Sequence, residues 1–84
     1  MFNKMKYIVI YDCVNEHAIM FSPFLKHSLF KECLLNSYPG MLVISAGFCS
    51  VGLSGEYMNC FGNSDSLNLK SRKEDSALFN FLFR

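Results

Sequence analysis

Charge of one sign is scarce in this 84-residue sequence: eight Lys and Arg stand against seven Asp and Glu, a formal net charge of +1. Sequence-independent binding of nucleic acid needs a basic stripe that neutralises phosphates, and none runs through the chain, which argues against a nucleic-acid partner. Long apolar runs are missing too. Asp12, Lys26 and Glu56 interrupt every candidate short of the roughly 18 residues of a membrane span, so no membrane partner is expected. The opening Met-Phe-Asn-Lys-Met-Lys leads into an apolar run too short for a signal-peptide core. Cys13, Cys33, Cys49 and Cys60 show no Cys-x-x-Cys spacing. They read as reduced, buried thiols in a cytoplasm, with no metal and no cofactor implied. Linkers, low-complexity tracts and residue-level repeats are absent, so residues 1–84 read as one domain.

What is abundant is apolar: 51% of residues are hydrophobic and nine are Phe. A chain of this size buries only roughly 60–65% of the surface that its unfolded form exposes. The surplus has to be covered by something else, and a homodimer is the expected answer.

Residues 7–11, Tyr-Ile-Val-Ile-Tyr, carry the strongest strand signal. A hairpin turn centred on Val14 and Asn15 would set Ile10 opposite Ile19 and Asp12 opposite His17. One face then carries Ile8, Ile10, Ile19 and Phe21, the other Tyr7, Val9, Tyr11 and Met20, both at least partly buried. Ser22-Pro23 reads as an N-cap and first helical position. Leu25, Leu29, Phe30, Cys33 and Leu34 form the stripe of that helix, with His27 off it, and Tyr38-Pro39-Gly40 ends it. Residues 41–51 and 56–61 form a second hairpin with Cys49 opposite Cys60 and Phe48 opposite Phe61. Gly47 within it marks a bulge or a close backbone approach. Residues 74–84 form a second helix, apolar almost all round. The sum is ββαββα, an α+β two-layer sandwich of a four-stranded, mainly antiparallel sheet with two helices on one face.

Polar groups concentrate in residues 60–75. Ser71 and Glu74 fit a capping box at the start of the second helix. Gly62, Ser64, Ser66, Lys70, Ser71 and Arg72 make a candidate cradle for an anionic ligand, aided by helix amides. The competing reading is a solvated connection whose hydroxyls cap turns. Phe79, Phe81, Leu82 and Phe83 are the candidate interface. Asp12 and His17 read as an ion pair closing a hairpin, since no nucleophile or oxyanion stabiliser joins them, and no catalytic residue is assigned. Tyr7, Tyr11, Tyr57 and Phe61 read as core or dimer packing.

The second half also resembles small uncharacterised proteins of bacteriophages and prophages. The resemblance rests on Ser45-Ala46-Gly47-Phe48, then Gly62, Ser64, Ser66, Leu67, Leu69, Ser71, Arg72 and Asp75, in the pattern Gly-x-Ser-x-Ser-Leu-x-Leu-x-Ser-Arg-x-x-Asp. Asn63 stands where that pattern has a basic residue, which counts against a phosphate clamp. The resemblance implies a phage accessory protein in the cytoplasm of a bacterial host and brings no activity with it. The expected function is therefore a small, non-enzymatic protein that binds a host protein or a small anionic ligand, as in countering a host defence. The alternative is a module handling nucleotides or single-stranded nucleic acid, with or without hydrolysis, centred on the 62–75 loop.

Overall fold

The computed structural model describes residues 4–51 and 58–82. In chain order these form β1 (Lys4–Tyr11), β2 (Glu16–Phe21), α1 (His27–Ser37), β3 (Leu42–Val51), β4 (Met58–Phe61), β5 (Asn63–Ser64), β6 (Leu69–Lys70) and α2 (Lys73–Leu82). Four strands make an antiparallel sheet of order β2-β1-β3-β4, and β5 and β6 pair as a separate small hairpin. The expected α+β class and four-stranded antiparallel sheet are both present.

The placement of both helices on one face is not. Tyr7, Ile8, Val9 and Ile10 are all buried, and alternate residues of a strand face opposite sides. Both sides of β1 therefore need a cover. Tyr7 and Val9 pack with Ala18, Cys49 and Phe79 beneath α2. Ile8 and Ile10 pack with Phe21, Ala46, Phe30 and Leu34 beneath α1, joined by Leu67 and Leu69 of the small hairpin. A sheet apolar on both sides takes one helix on each.

The first hairpin closes one residue earlier than expected, which shifts the pairing by two, with Ile8 opposite Ile19 and Ile10 opposite His17. One oxygen of the Asp12 carboxylate accepts the amides of Val14 (2.9 Å) and Asn15 (2.6 Å). The chain thus folds back over Cys13 and Val14, with Cys13 in the left-handed region at φ 77°, as two-residue hairpin loops require. Because the shift is even, every side chain keeps its expected face.

Helix α1 starts at His27 rather than beside Pro23. Residues 22–25 form a turn instead: the Leu25 amide donates to the Ser22 carbonyl (3.1 Å) and the Phe24 amide to the Ser22 hydroxyl (3.2 Å). Ser followed by Pro fits the first two positions of a turn as well as it fits a helix start. In the second hairpin, Cys49 lies opposite Cys60 and Phe48 opposite Phe61, as the pattern requires. The turn expected at residues 54 and 55 lies outside the described residues. Gly47 is the site of a close approach: a Cβ there would stand 2.6 Å from the Phe61 carbonyl oxygen. The irregularity in the ladder falls elsewhere, between Val9 and Ile10.

Among the described residues no helix is long and apolar enough to cross a membrane.

Candidate functional site

The 60–75 segment divides into a part that holds the fold together and a part that borders a cleft. Arg72, expected to face a ligand, faces inward. Its Nε and Nη2 donate to Asp75 Oδ1, each at 2.8 Å, and its Nη2 also reaches Glu16 Oε1 at 2.9 Å. Asp75 is fully buried, and its other oxygen accepts the Tyr7 phenol at 2.5 Å and the Arg72 amide at 3.0 Å. The last of these bonds is the capping interaction of α2, made by Asp75 at the third helical position and not by a Ser71–Glu74 pair. Burial pushes the Tyr7 phenol well above its usual value, and the Asp75 carboxylate reinforces the shift. Hydrogen bonding to Glu16 first, and then to Asp75, raises the Arg72 guanidinium, while Arg72 holds Glu16 below the usual carboxylate range. A guanidinium spent on two carboxylates inside the protein has little left for an external anion.

Ser71 and Gly62 are internal as well. The Ser71 amide donates to the Gly62 carbonyl at 2.9 Å, and Gly62 adopts φ 77° so that the chain can leave β4 beneath the Phe48 ring. Ser64 is buried and its hydroxyl accepts the Leu67 amide (3.3 Å). The Ser66 hydroxyl accepts the amide of Ser28 (3.3 Å), in the first turn of α1. Lys26, the residue at the N-cap position, offers no side-chain cap. The cap of α1 therefore comes from a residue 38 positions away, and the capping reading of the serines holds for Ser64 and Ser66.

Beside this cap lies a cleft of about 360 Å³ lined by Lys6, Lys26, His27, Phe48, Asn63, Ser64, Asp65 and Ser66. Lys4 stands at its margin with Nζ 4.1 Å from the centre of the Phe48 ring, and the Phe48 and Phe61 rings stack at 6.2 Å. Lys6 Nζ donates to the Leu25 carbonyl (2.7 Å), which holds the ammonium at the entrance. Lys70 lines an adjoining cleft of about 370 Å³ with Asn63, Asp65 and Asn68. Lys6, Lys26 and Lys70 thus line the two clefts beside the β5–β6 hairpin, and Lys4 stands over the Phe48 ring.

His27 forms the floor. It is buried, its Nε2 donates to the Gly47 carbonyl (2.9 Å), and its ring meets Phe21 and Phe48 edge-on at 5.3 and 5.9 Å. Burial, as the largest cause, lowers the His27 imidazole below its usual value. His27, expected off the helical stripe, is on the buried side of α1, and its spacing of three from Phe30 and seven from Leu34 is the sequence signal for that burial. Lys6, Lys26 and Phe48 were missed because their grouping depends on the long-range pairing of β1 with β3.

Other expected positions resolve in the same way. Asp12 and His17 pair at 2.8 Å on the surface, where turn amides, led by Asn15, pull the Asp12 carboxyl down to about 2. Burial pushes the Cys49 thiol up to about 11 and the Cys60 thiol up to about 12, whereas Cys13 and Cys33 are exposed. Tyr7 is core, and Tyr57 lies outside the described residues. Phe79 is enclosed completely by its own chain and offers no contact surface; Phe81 and Leu82 are exposed, and Phe83 lies outside the described residues. Among the described residues no three His, Cys, Asp or Glu side chains converge as metal ligands.

No family model, curated protein or solved structure matches this chain.

Proposed function

We propose that the chain is a small, non-enzymatic binding protein that takes an anionic ligand in the cleft between β1, the start of α1 and the β5–β6 hairpin. The observation that carries this reading is the convergence of Lys6 and Lys26 on a cleft floored by Phe48 and His27, with Lys4 over the same ring. Ammonium groups supply the attraction. An aromatic floor adds affinity for a flat ligand such as a nucleotide base, worth about 1–3 kcal/mol when a base stacks. The nucleotide alternative therefore becomes a choice of ligand at this cleft. The phage-type resemblance supplies a setting, a bacterial host whose metabolite or signal the protein would sequester as a counter to defence.

Titration with inorganic phosphate and with adenosine monophosphate, followed by amide chemical shifts, tests the reading. Shifts should cluster at residues 26–28 and 63–66, with the nucleotide binding about tenfold more tightly through stacking. Lys26→Ala should weaken both ligands while Lys73→Ala leaves them unchanged. Shifts scattered over the surface, or equal binding by the two variants, would sink it.

One observation favours a protein partner as a second reading. Phe24 is 94% exposed on the turn that precedes α1, beside exposed Leu25, Leu29 and Cys33. Three of the five residues of the expected apolar stripe, Leu25, Leu29 and Cys33, thus face outward, and exposed apolar patches of this kind mark contact sites. A photo-crosslinking residue at position 24 should trap a discrete partner in bacterial lysate, and the same residue at position 36 should not. Equal labelling from both positions would remove this reading.

A further inference from the structure

The two edges of the main sheet are finished differently. At β4, α2 occupies the open edge with side chains: the Met58 amide donates to Asn80 Oδ1 (2.8 Å), the Cys60 amide to the Ser76 hydroxyl (2.8 Å), and Asn80 Nδ2 returns a bond to the Met58 carbonyl (3.0 Å). At β2 no side chain plays that part among the described residues, and β1 is its sole strand neighbour there. The usual protections of an edge are a central Lys, a proline or a bulge. Glu16–Phe21, Glu-His-Ala-Ile-Met-Phe, pairs with β1 in unbroken register and has none of these.

We propose that β2 receives β2 of a second copy of this chain, antiparallel across a twofold axis, so that two four-stranded sheets become one of eight. Side chains of an added strand alternate between the two faces of the sheet, and a cleft flanks β2 on each. On the α1 side, Ile10, Ile19, Leu34, Tyr38 and Met41 border about 360 Å³. On the α2 side, Val14, Leu78, Phe81 and Leu82, with the polar Asn15, Glu16 and His17, border about 460 Å³.

Charge selects a second copy and its direction. Asp12 and Glu16 lie at one end of β2; at the other, Lys6 stands directly across from Phe21, and Lys26 follows five residues later. Antiparallel pairing sets the acidic end of each copy beside the basic end of its mate, twice by symmetry. Parallel pairing would place like charges together. No residue of β2 lines the anion cleft, but Lys6 and Lys26 serve both readings, so the strand pairing is tested at Met20, which lies outside that cleft.

Sedimentation of the full chain tests it. The expected species has twice the 9.6 kDa chain mass. Met20, 37% exposed on the edge, is the residue to change: Met20→Lys should weaken association about tenfold or more with unchanged circular dichroism. Phe24→Ser, away from the edge, should leave the dimer intact. Hydrogen exchange on the unaltered chain gives a check free of any folding defect in the variant, because amides of Glu16–Phe21 should lose protection on dilution. A monomer at high micromolar concentration overturns the proposal. So does a dimer that resists Met20→Lys and whose β2 exchange ignores dilution.

Discussion

The phenol of Tyr7, the first residue of the apolar run in β1, donates to the buried carboxylate of Asp75 at 2.5 Å and so fastens β1 to α2. Arg72 closes the arrangement from the other side and carries it on to Glu16 at the start of β2. Four residues from both ends of the chain therefore form one polar lock around a carboxylate that water does not reach.

Tyr7→Phe should lower unfolding stability by about 1.5–3 kcal/mol, the range for a hydrogen bond to a charged group. Arg72→Ala should cost about 3 kcal/mol or more, because it strands the Asp75 carboxylate, and it should leave anion binding unchanged. Denaturant titration measures the first two and ligand titration the third. The raised Tyr7 phenol has a further consequence. A folded value above the unfolded one means that stability is full below the ordinary tyrosine value of 10.0 and is lost as pH rises past it. In an absorbance titration, one of the four tyrosines should stay neutral until the chain unfolds.

Gly47→Ala should destabilise by about 1–3 kcal/mol, as expected of overpacking. The added Cβ would meet the Phe61 backbone oxygen at 2.6 Å, and backbone cannot step aside as a flexible side chain can. A thermal melt equal to that of the unaltered protein would show that β4 approaches β3 less closely than described.

Ser45 gives the opposite sign. Its hydroxyl is fully buried and has no hydrogen-bond partner among the described residues. Ser45→Ala should therefore raise stability by about 1 kcal/mol, by removing a polar group that folding strips of water. A loss of stability in the same denaturant assay would contradict that.

His27 makes the protein sensitive to mild acid. Its folded value lies below the ordinary 6.5, chiefly because burial disfavours the charged ring, with Lys6 adding to the effect. The unfolded chain then binds the proton more readily, so stability is full above pH 6.5 and falls as pH drops below it. Lys26 and Asp65 border the same cleft and also face this end of the ring's surroundings. The urea midpoint should be lower at pH 5 than at pH 7.5, and His27→Gln should flatten that difference. An undiminished difference in the variant would assign the effect to another group.

The sequence by itself determined the four long strands and the two helices, because each is a local matter of period and punctuation, though not the β5–β6 hairpin or the start of α1. Alternating apolar residues set the strands and their faces, Tyr38-Pro39-Gly40 ended α1, and the spacing of Phe48, Cys49, Cys60 and Phe61 fixed their pairing. Even the double-sided burial of residues 7–10 was legible, and it carried the message that each face needs its own helix. Only the tertiary structure decided which polar groups remain for other molecules. Ser66 reads as a ligand hydroxyl until α1 arrives to take it as a cap, and Arg72 reads as an anion clamp until Glu16 and Asp75 close on it. Hydrogen-bonding capacity is a property of a side chain, but whether it is already spent depends on neighbours that are 38 and 56 residues away.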